Sequence, residues 1–323
     1  MVEEIIPNLY RIEIPLRGNP LKFINSYVIK TSDRHLIVDT GWNRPECQEV
    51  METSLKKLEI DLKRMDFFII HSHSDHLGLA SELVQDHAKV YFNRPDADRL
   101  KRGISLEEFL PFARLNGFPE DELQAILKTH PGFRYRPEKY PLFHILEDGD
   151  TLRVGVYLFT CISTPGHGRG HMCLYERNAK ILFSGDHLLD DITPNIQLWD
   201  DDWNPLKEYL ESLDKVSQLD VKLVLPGHRK FVKGYTERIQ ELKDHHEERS
   251  KEILSILEKK EMTAFEVASE MEWDIVCDSW DLFPVSQKWF AVGEAIAHLK
   301  YLEEEKRITK ETRGHRRIFR RSH

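Results

Sequence analysis

Residues 67–80 read Phe67-Phe68-Ile69-Ile70-His71-Ser72-His73-Ser74-Asp75-His76-Leu77-Gly78-Leu79-Ala80. Four apolar, β-prone residues run straight into six residues, of which four (His71, His73, Asp75 and His76) are metal ligands by type. A strand that ends in His-x-His-x-Asp-His suits a turn aiming several imidazoles and a carboxylate into one small volume. A solvated, His-rich loop is the plainer alternative, but unpaired polar groups are costly at the end of a buried strand. Neutral imidazole and carboxylate together suit a borderline divalent cation such as zinc, and a catalytic zinc keeps one position open for water. One cation rarely takes all four ligands, so the stretch points beyond a single closed site.

The pattern recurs. Val156-Tyr157-Leu158-Phe159 leads to Thr164-Pro165-Gly166-His167, Ile181-Leu182-Phe183 to Ser184-Gly185-Asp186, and Leu223-Val224-Leu225 to Pro226-Gly227-His228. In each case a short apolar strand ends in a turn that carries a ligand-type residue. In layered α/β proteins, loops from several strands converge at one sheet edge. The candidate ligands are therefore His71, His73, Asp75, His76, His167, Asp186 and His228. His171 and His187 stand close enough to orient them. His35, His87, His130, His144, His245, His246, His298, His315 and His323 read as surface or packed residues.

The rest of the chain places these turns. Leu9–Ile14, Phe23–Ile29 and His35–Asp39 read as strands joined by hairpin-like connections. Residues 45–61 read as a helix crossing over to the strand at 66–70, and 77–86 as a second helix. Residues 95–140 change to helices with many aromatics, among them Phe109, Phe112, Phe118, Phe133, Tyr135 and Tyr140, and read as an insertion walling one side of a pocket. Ser105 with Glu108 forms a capping-box pair there, and Thr263 with Glu266 a second one. A single strand is expected from Gly149 through Phe159, and an amphipathic helix over 205–219. Beyond residue 240, three helices precede a basic, β-prone end, the order of a winged helix. The expected domains are thus 1–240 and 241–323.

At 323 residues, 40% hydrophobic and 31% charged, the chain has the composition of a globular protein. No apolar run approaches the roughly 20 residues of a membrane span. From the acidic start Met1-Val2-Glu3-Glu4 and four scattered cysteines without a Cys-x-x-Cys pair, the expected location is the cytoplasm. Net charge is −9, while residues 306–323 carry about +7, which argues against a general nucleic-acid surface but leaves a local anion-binding role open for the tail.

The four motifs, His71-Ser72-His73-Ser74-Asp75-His76, Thr164-Pro165-Gly166-His167, Phe183-Ser184-Gly185-Asp186 and Pro226-Gly227-His228, resemble in kind and order those of the metallo-β-lactamase superfamily, over about residues 6–235. Residues 241–323 resemble the winged-helix appendage of its β-lactamase-like protein 2 subgroup. The resemblance implies an αββα sandwich with its metals at one edge of the two sheets. It also implies that His71, His73 and His167 hold one metal, that Asp75, His76 and His228 hold a second, and that Asp186 bridges them. Two divalent ions follow, zinc first, with manganese or iron as alternatives. A metal-bridged hydroxide would attack an ester-like bond, oriented by Asp75, which could later shuttle the proton.

Departures from subfamily patterns narrow the activity. The resemblance implies a glutamate at position 73 in oxygen-reducing di-iron members and an arginine at position 76 in the main class of zinc β-lactamases; this chain has His73 and His76. Nor does the carboxy-terminal end match the glutathione-gripping motif of glyoxalase II. The expected activity is hydrolysis of a thioester or lactone of a small molecule. A single-strand endoribonuclease and a metal-dependent binding protein are the alternatives, with RNA and a second subunit of a homodimer as further partners.

Overall fold

The computed structural model describes residues 1–103, 105–275 and 277–322, apart from the side chains of Pro131 and Phe133. Phe133 of the aromatic run and His323 therefore lie outside the described set. One sheet runs in chain order through β1 (Val2–Ile6), β2 (Leu9–Pro15), β3 (Phe23–Ile29), β4 (His35–Val38), β5 (Met65–Phe68), β6 (Val90–Asn93) and β7 (Phe143–Leu146). The short turns before residue 40 can only return the chain antiparallel, and β1 to β4 pair that way. From β4 onward the pairings are parallel, because a parallel step needs a crossover. Helix α1 (Pro45–Lys57) supplies the first, opening with Pro45 and closing on Lys56 and Lys57, which suit the two ends of a helix.

The helix expected over 77–86 is instead two single turns, α2 (Ser74–Leu77) and α3 (Ala80–Leu83). The first starts early, so that Asp75 and His76 fall on it, and Val84 takes an extended conformation that ends the second. Between β6 and β7 the chain forms the helices α4 (Arg94–Arg102), α5 (Leu110–Leu115), α6 (Glu120–Thr129) and α7 (Pro131–Arg134). Ser105 caps a 3-10 turn by accepting from the Glu107 amide, 3.2 Å away. Its carboxylate partner is Glu107 rather than the expected Glu108, because a 3-10 turn rises faster than an α-helix.

The second sheet has the order β12 (Leu223–Pro226), β11 (Ile181–Gly185), β10 (Met172–Glu176), β9 (Tyr157–Ser163), β8 (Thr151–Val154). The strand expected from 149 to 159 is a hairpin, β8 turning into β9 at Gly155-Val156. Only β11 and β12 are parallel, and α8 (Pro205–Ser217) lies between them in sequence. The sheets meet face to face as a mixed α/β sandwich. Tyr27, Val38, Phe68 and Ile70 of the first pack on Phe159, Leu174, Phe183 and Leu225 of the second, and Tyr27 sets its ring edge-on to Phe183 with centroids 5.3 Å apart. Each such side chain contributes roughly 1.5–3 kcal/mol by leaving water.

The remaining helices are α9 (Tyr235–Lys259), α10 (Ala264–Glu270) and α11 (Val285–Glu304), followed by the hairpin β13 (Ile308–Arg313) and β14 (Arg316–Arg321). The chain divides into two compact units, and a single cut at residue 240 does not separate them. One unit holds 1–103, 131–194 and 214–238. The other holds 104–130, 195–213 and 239–323. Within this second unit Trp289 of α11 stacks on Trp199, with centroids 3.7 Å apart and planes 14° apart. Phe118 packs on both Phe265 and Trp289, and the buried Lys288 pairs with Glu122 at 2.5 Å. The segments 104–130 and 195–213 thus share a core with the C-terminal helices, although they interrupt the sandwich in sequence. The expected Thr263–Glu266 capping box is present at the start of α10.

Candidate metal centre

The strands of the sandwich deliver all seven candidate residues to one place within one compact unit. His71 follows β5, His73 caps α2, and Asp75 and His76 lie on its first turn. His167 follows β9, Asp186 directly follows β11, and His228 follows β12. They assemble as two groups, each with ligand atoms within 4.8 Å of one another: His71, His73, His167 and Asp186 in one, Asp75, His76 and His228 in the other. Asp186 Oδ2 stands 3.4 Å from His167 Nε2, 3.5 Å from His76 Nε2 and 3.6 Å from His228 Nε2. It therefore faces histidines of both groups. His228 Nε2 is also 3.3 Å from Asp75 Oδ2.

Whether a metal fits can be read from what these atoms lack. Both ring nitrogens of His71, Nε2 of His76, Nε2 of His228 and Oδ1 of Asp186 are buried without a hydrogen-bond partner. A native interior rarely leaves so many polar atoms unsatisfied in one place. Neutral imidazoles around a carboxylate satisfy that deficit by sharing divalent cations, and the donor set is the one zinc accepts.

Electrostatics separates the two groups. Burial, reinforced by neighbouring histidines, holds His71 well below the usual histidine range and His73 down at about 3, so both are neutral. Burial also works against a proton on His228, but Asp186 and Asp75 outweigh it and raise this group to about 10. The carboxylates respond in kind. Burial opposes the charge on Asp75, yet His228 and His76 bring it down to about 2. Asp186 is held well below its ordinary value by the same two histidines against its own burial. Burial also opposes a proton on His76, but Asp39 and Asp186 outweigh it and raise this group well above the usual histidine range, so the buried carboxylates favour positive charge on His76 and His228 alike.

Several residues that hold the site were not singled out in the sequence. Asp39 receives the His76 Nδ1 proton at 2.7 Å through one oxygen and the Ile70 amide at 3.0 Å through the other. Its signal was present, since Asp39 ends an apolar strand just as the ligand residues do. Asn25 and Tyr27 of β3 donate to the Pro226 carbonyl at 3.0 and 2.7 Å, pinning the strand end that precedes His228. His228 in turn donates from Nδ1 to the Phe23 carbonyl, leaving Nε2 for the site. No sequence signal marks these contacts, because they cross some 200 positions of chain. His171 acts as an orienting residue, pairing Nδ1 with the Thr164 hydroxyl at 2.8 Å and accepting the Asp186 amide on Nε2 at 3.2 Å. His187 is buried, with its ring centroid 6.1 Å from that of His171. Gly227 has no room for a side chain, since a Cβ there would lie 2.5 Å from Asp186 Oδ1 and 3.0 Å from His76 Cε1.

The basic tail does not present a bare cationic face. Arg317 makes a two-point pair with Asp201, Lys310 pairs with Glu303 at 2.8 Å, and Arg313 and Arg321 pair with Glu261 and Glu258. Its charge is largely answered by acids of its own unit. Among the described residues, no helix is long and apolar enough to cross a membrane.

A face-to-face α/β sandwich with two His/Asp groups at its strand ends is the arrangement of a metal-binding protein of the layered α/β class. The chain belongs to the metallo-beta-lactamase superfamily, whose family model matches residues 19–228, and a model described as the metallo-beta-lactamase-like C-terminal domain matches residues 251–321. It is 25% identical to the beta-lactamase-like protein 2 homolog of Caenorhabditis elegans, over 79% of this chain and 72% of that protein. It is 26% identical to the human acyl-coenzyme A thioesterase MBLAC2, over 63% of this chain and 72% of that one. Among solved structures, a metallo-beta-lactamase family protein of Thermus thermophilus superposes with a TM-score of 0.82 at 27% identity, covering 99% of this chain and 100% of that chain.

Proposed function

We propose that this protein is a dinuclear metal-dependent thioesterase acting on a small-molecule thioester. His71, His73 and His167 would hold one ion, Asp75, His76 and His228 the other, and Asp186 would serve both. The observation that carries this reading is the placement of Asp186 Oδ2 within 3.4–3.6 Å of histidines from both groups. Two like charges that close need an anion between them. Zinc is the favoured ion on the ligand chemistry, with manganese or iron as alternatives.

Ions bound there would supply a hydroxide at neutral pH and polarise the thioester carbonyl. The chain's own residues set up the rest. Asp75 is ionised at neutral pH, so it can orient the attacking oxygen by accepting its hydrogen bond and then carry the proton to the departing thiolate. Asp39 and the Phe23 carbonyl fix His76 and His228 with Nε2 turned toward the site. The thioester is preferred over a lactone because a relative bears the name of an acyl-coenzyme A thioesterase. The free thiols of Cys47, Cys161 and Cys173, all buried, suit the cytoplasm. The order of α9, α10, α11 and the hairpin β13–β14 supports reading the C-terminal part as a winged helix.

The test is elemental analysis followed by a substrate panel of acyl-coenzyme A thioesters, lactones and single-stranded RNA. Two divalent ions per chain with turnover of the thioesters is the expected result. Cleavage of RNA without thioester turnover would overturn the reading.

A further inference from the structure

Ser72 sits between His71 and His73, and its backbone amide donates to Asp96 Oδ2 at 2.8 Å. Asp96 is buried at 2% exposure on the first turn of α4, a helix already capped by Asn93, whose side-chain oxygen accepts the Asp96 amide at 2.8 Å. In a capping box the carboxylate at this third position folds back on the capping residue's own amide. Here it takes the amide between two histidines instead, and it also receives Asn93 Nδ2 at 3.4 Å.

The same cap touches a second loop. Gly170, three residues after His167, packs so tightly that a Cβ there would fall 1.8 Å from Asn93 Oδ1 and 2.7 Å from Asp96 Cγ. The start of α4 therefore grips both chain segments that supply His71, His73 and His167, whose rings meet with centroids 4.4 to 5.0 Å apart. Capping alone would not require a buried carboxylate, which is costly to desolvate, since Asn93 already performs it.

We propose that Asp96 and Gly170 are positioning residues for the three-histidine half of the site, with the cap of α4 setting the separation between the His71–His73 loop and the His167 loop. This rests on the reading that those histidines hold a metal. It adds a clamp that bears first on one half: Asp96 takes the amide between His71 and His73, and the same cap packs on Gly170 after His167, whereas His76 is held by Asp39 and His228 by the Phe23 carbonyl.

The test measures zinc affinity by competition with a chromophoric chelator in two backgrounds. His228→Ala isolates the three-histidine half and His71→Ala the other. Adding Asp96→Ala should weaken zinc binding about 10–100-fold in the first background and less than about threefold in the second. Asp96→Asn, whose amide oxygen can still accept from Ser72, should restore binding in the first. Gly170→Ala leaves the carboxylate in place but forces the loop off the cap, so it carries the same test if Asp96→Ala does not fold. Equal losses in both backgrounds, or a lower melting temperature of the metal-free protein with zinc affinity unchanged, would make Asp96 a fold residue only and overturn the proposal. Absence of zinc uptake by the wild-type chain is a different outcome, which would remove the metal reading itself and this inference with it.

Discussion

His76 and Asp39 form a sealed pair: Nδ1 and Oδ2 are 2.7 Å apart, and the two side chains are 0% and 1% exposed. A carboxylate can only accept, so His76 must donate from Nδ1, and its other nitrogen points at Asp186. Asp39→Ala should therefore lower metal affinity at the proposed site of His76 by about 10–100-fold, read by chelator competition. Unchanged zinc affinity in that variant would show that His76 is held by packing alone.

On the proposed dinuclear reading, Asp186→Ala is expected to remove both ions and all hydrolase activity together, because a single carboxylate faces both groups. Chelation should do the same to the wild-type protein, and added zinc should restore the wild type but not the variant. An Asp186→Ala protein that retained two ions by elemental analysis would sink the bridging assignment.

A pH effect is expected in the second unit. Burial raises the Glu294 carboxyl to about 7 against the pull of the Arg249 guanidinium and a hydrogen bond from Asn195, while Glu252 adds to the rise. A group whose pKa is raised by folding stabilises the fold fully below its ordinary value and loses that contribution as pH climbs through the raised one. Relative to Glu294→Gln, the wild-type protein should lose up to roughly 3 kcal/mol as pH rises from about 4.5 to about 8. Buried His246 and His298, both held below the usual range by burial, act in the opposite sense as pH falls. Comparison with the Gln variant cancels their effect. Melting curves that stay parallel across that window would contradict the assignment.

Truncation after residue 240 should give an insoluble protein. Trp199, Phe118 and Glu122 would lose Trp289, Phe265 and Lys288, their partners in the shared core, and newly bared apolar surface promotes aggregation. A soluble, monomeric 1–240 fragment with native melting behaviour would show that residues 104–130 and 195–213 do not need those helices.

The metal-type residues were legible because each breaks a local rule: a polar, ligand-bearing turn at the end of a buried apolar strand. That rule needs only the neighbouring residues, and the seven it picks out, His71, His73, Asp75, His76, His167, Asp186 and His228, are ones the fold brings together in two groups. The hairpin-joined strands between residues 9 and 39 and the helical crossover to the strand at 66–70 were likewise readable from connection length, whereas β1 and β7 carried no such signal. Short-range geometry was less secure, and Ser74 starts the helix that the apolar spacing placed at Leu77.

What the linear order could not show is which distant segments hold the site and which share a core. Asn25 and Tyr27 secure His228 from some 200 residues away, and Asp96 reaches Ser72 from the far side of a strand. Such partners are ordinary polar residues on ordinary elements, and nothing in their neighbours distinguishes them. The grouping of 104–130 and 195–213 with the C-terminal helices has the same cause. Aromatic side chains such as Phe118 and Trp199 bury their faces wherever a complementary surface lies, and only the folded chain brings Phe265 and Trp289 to them.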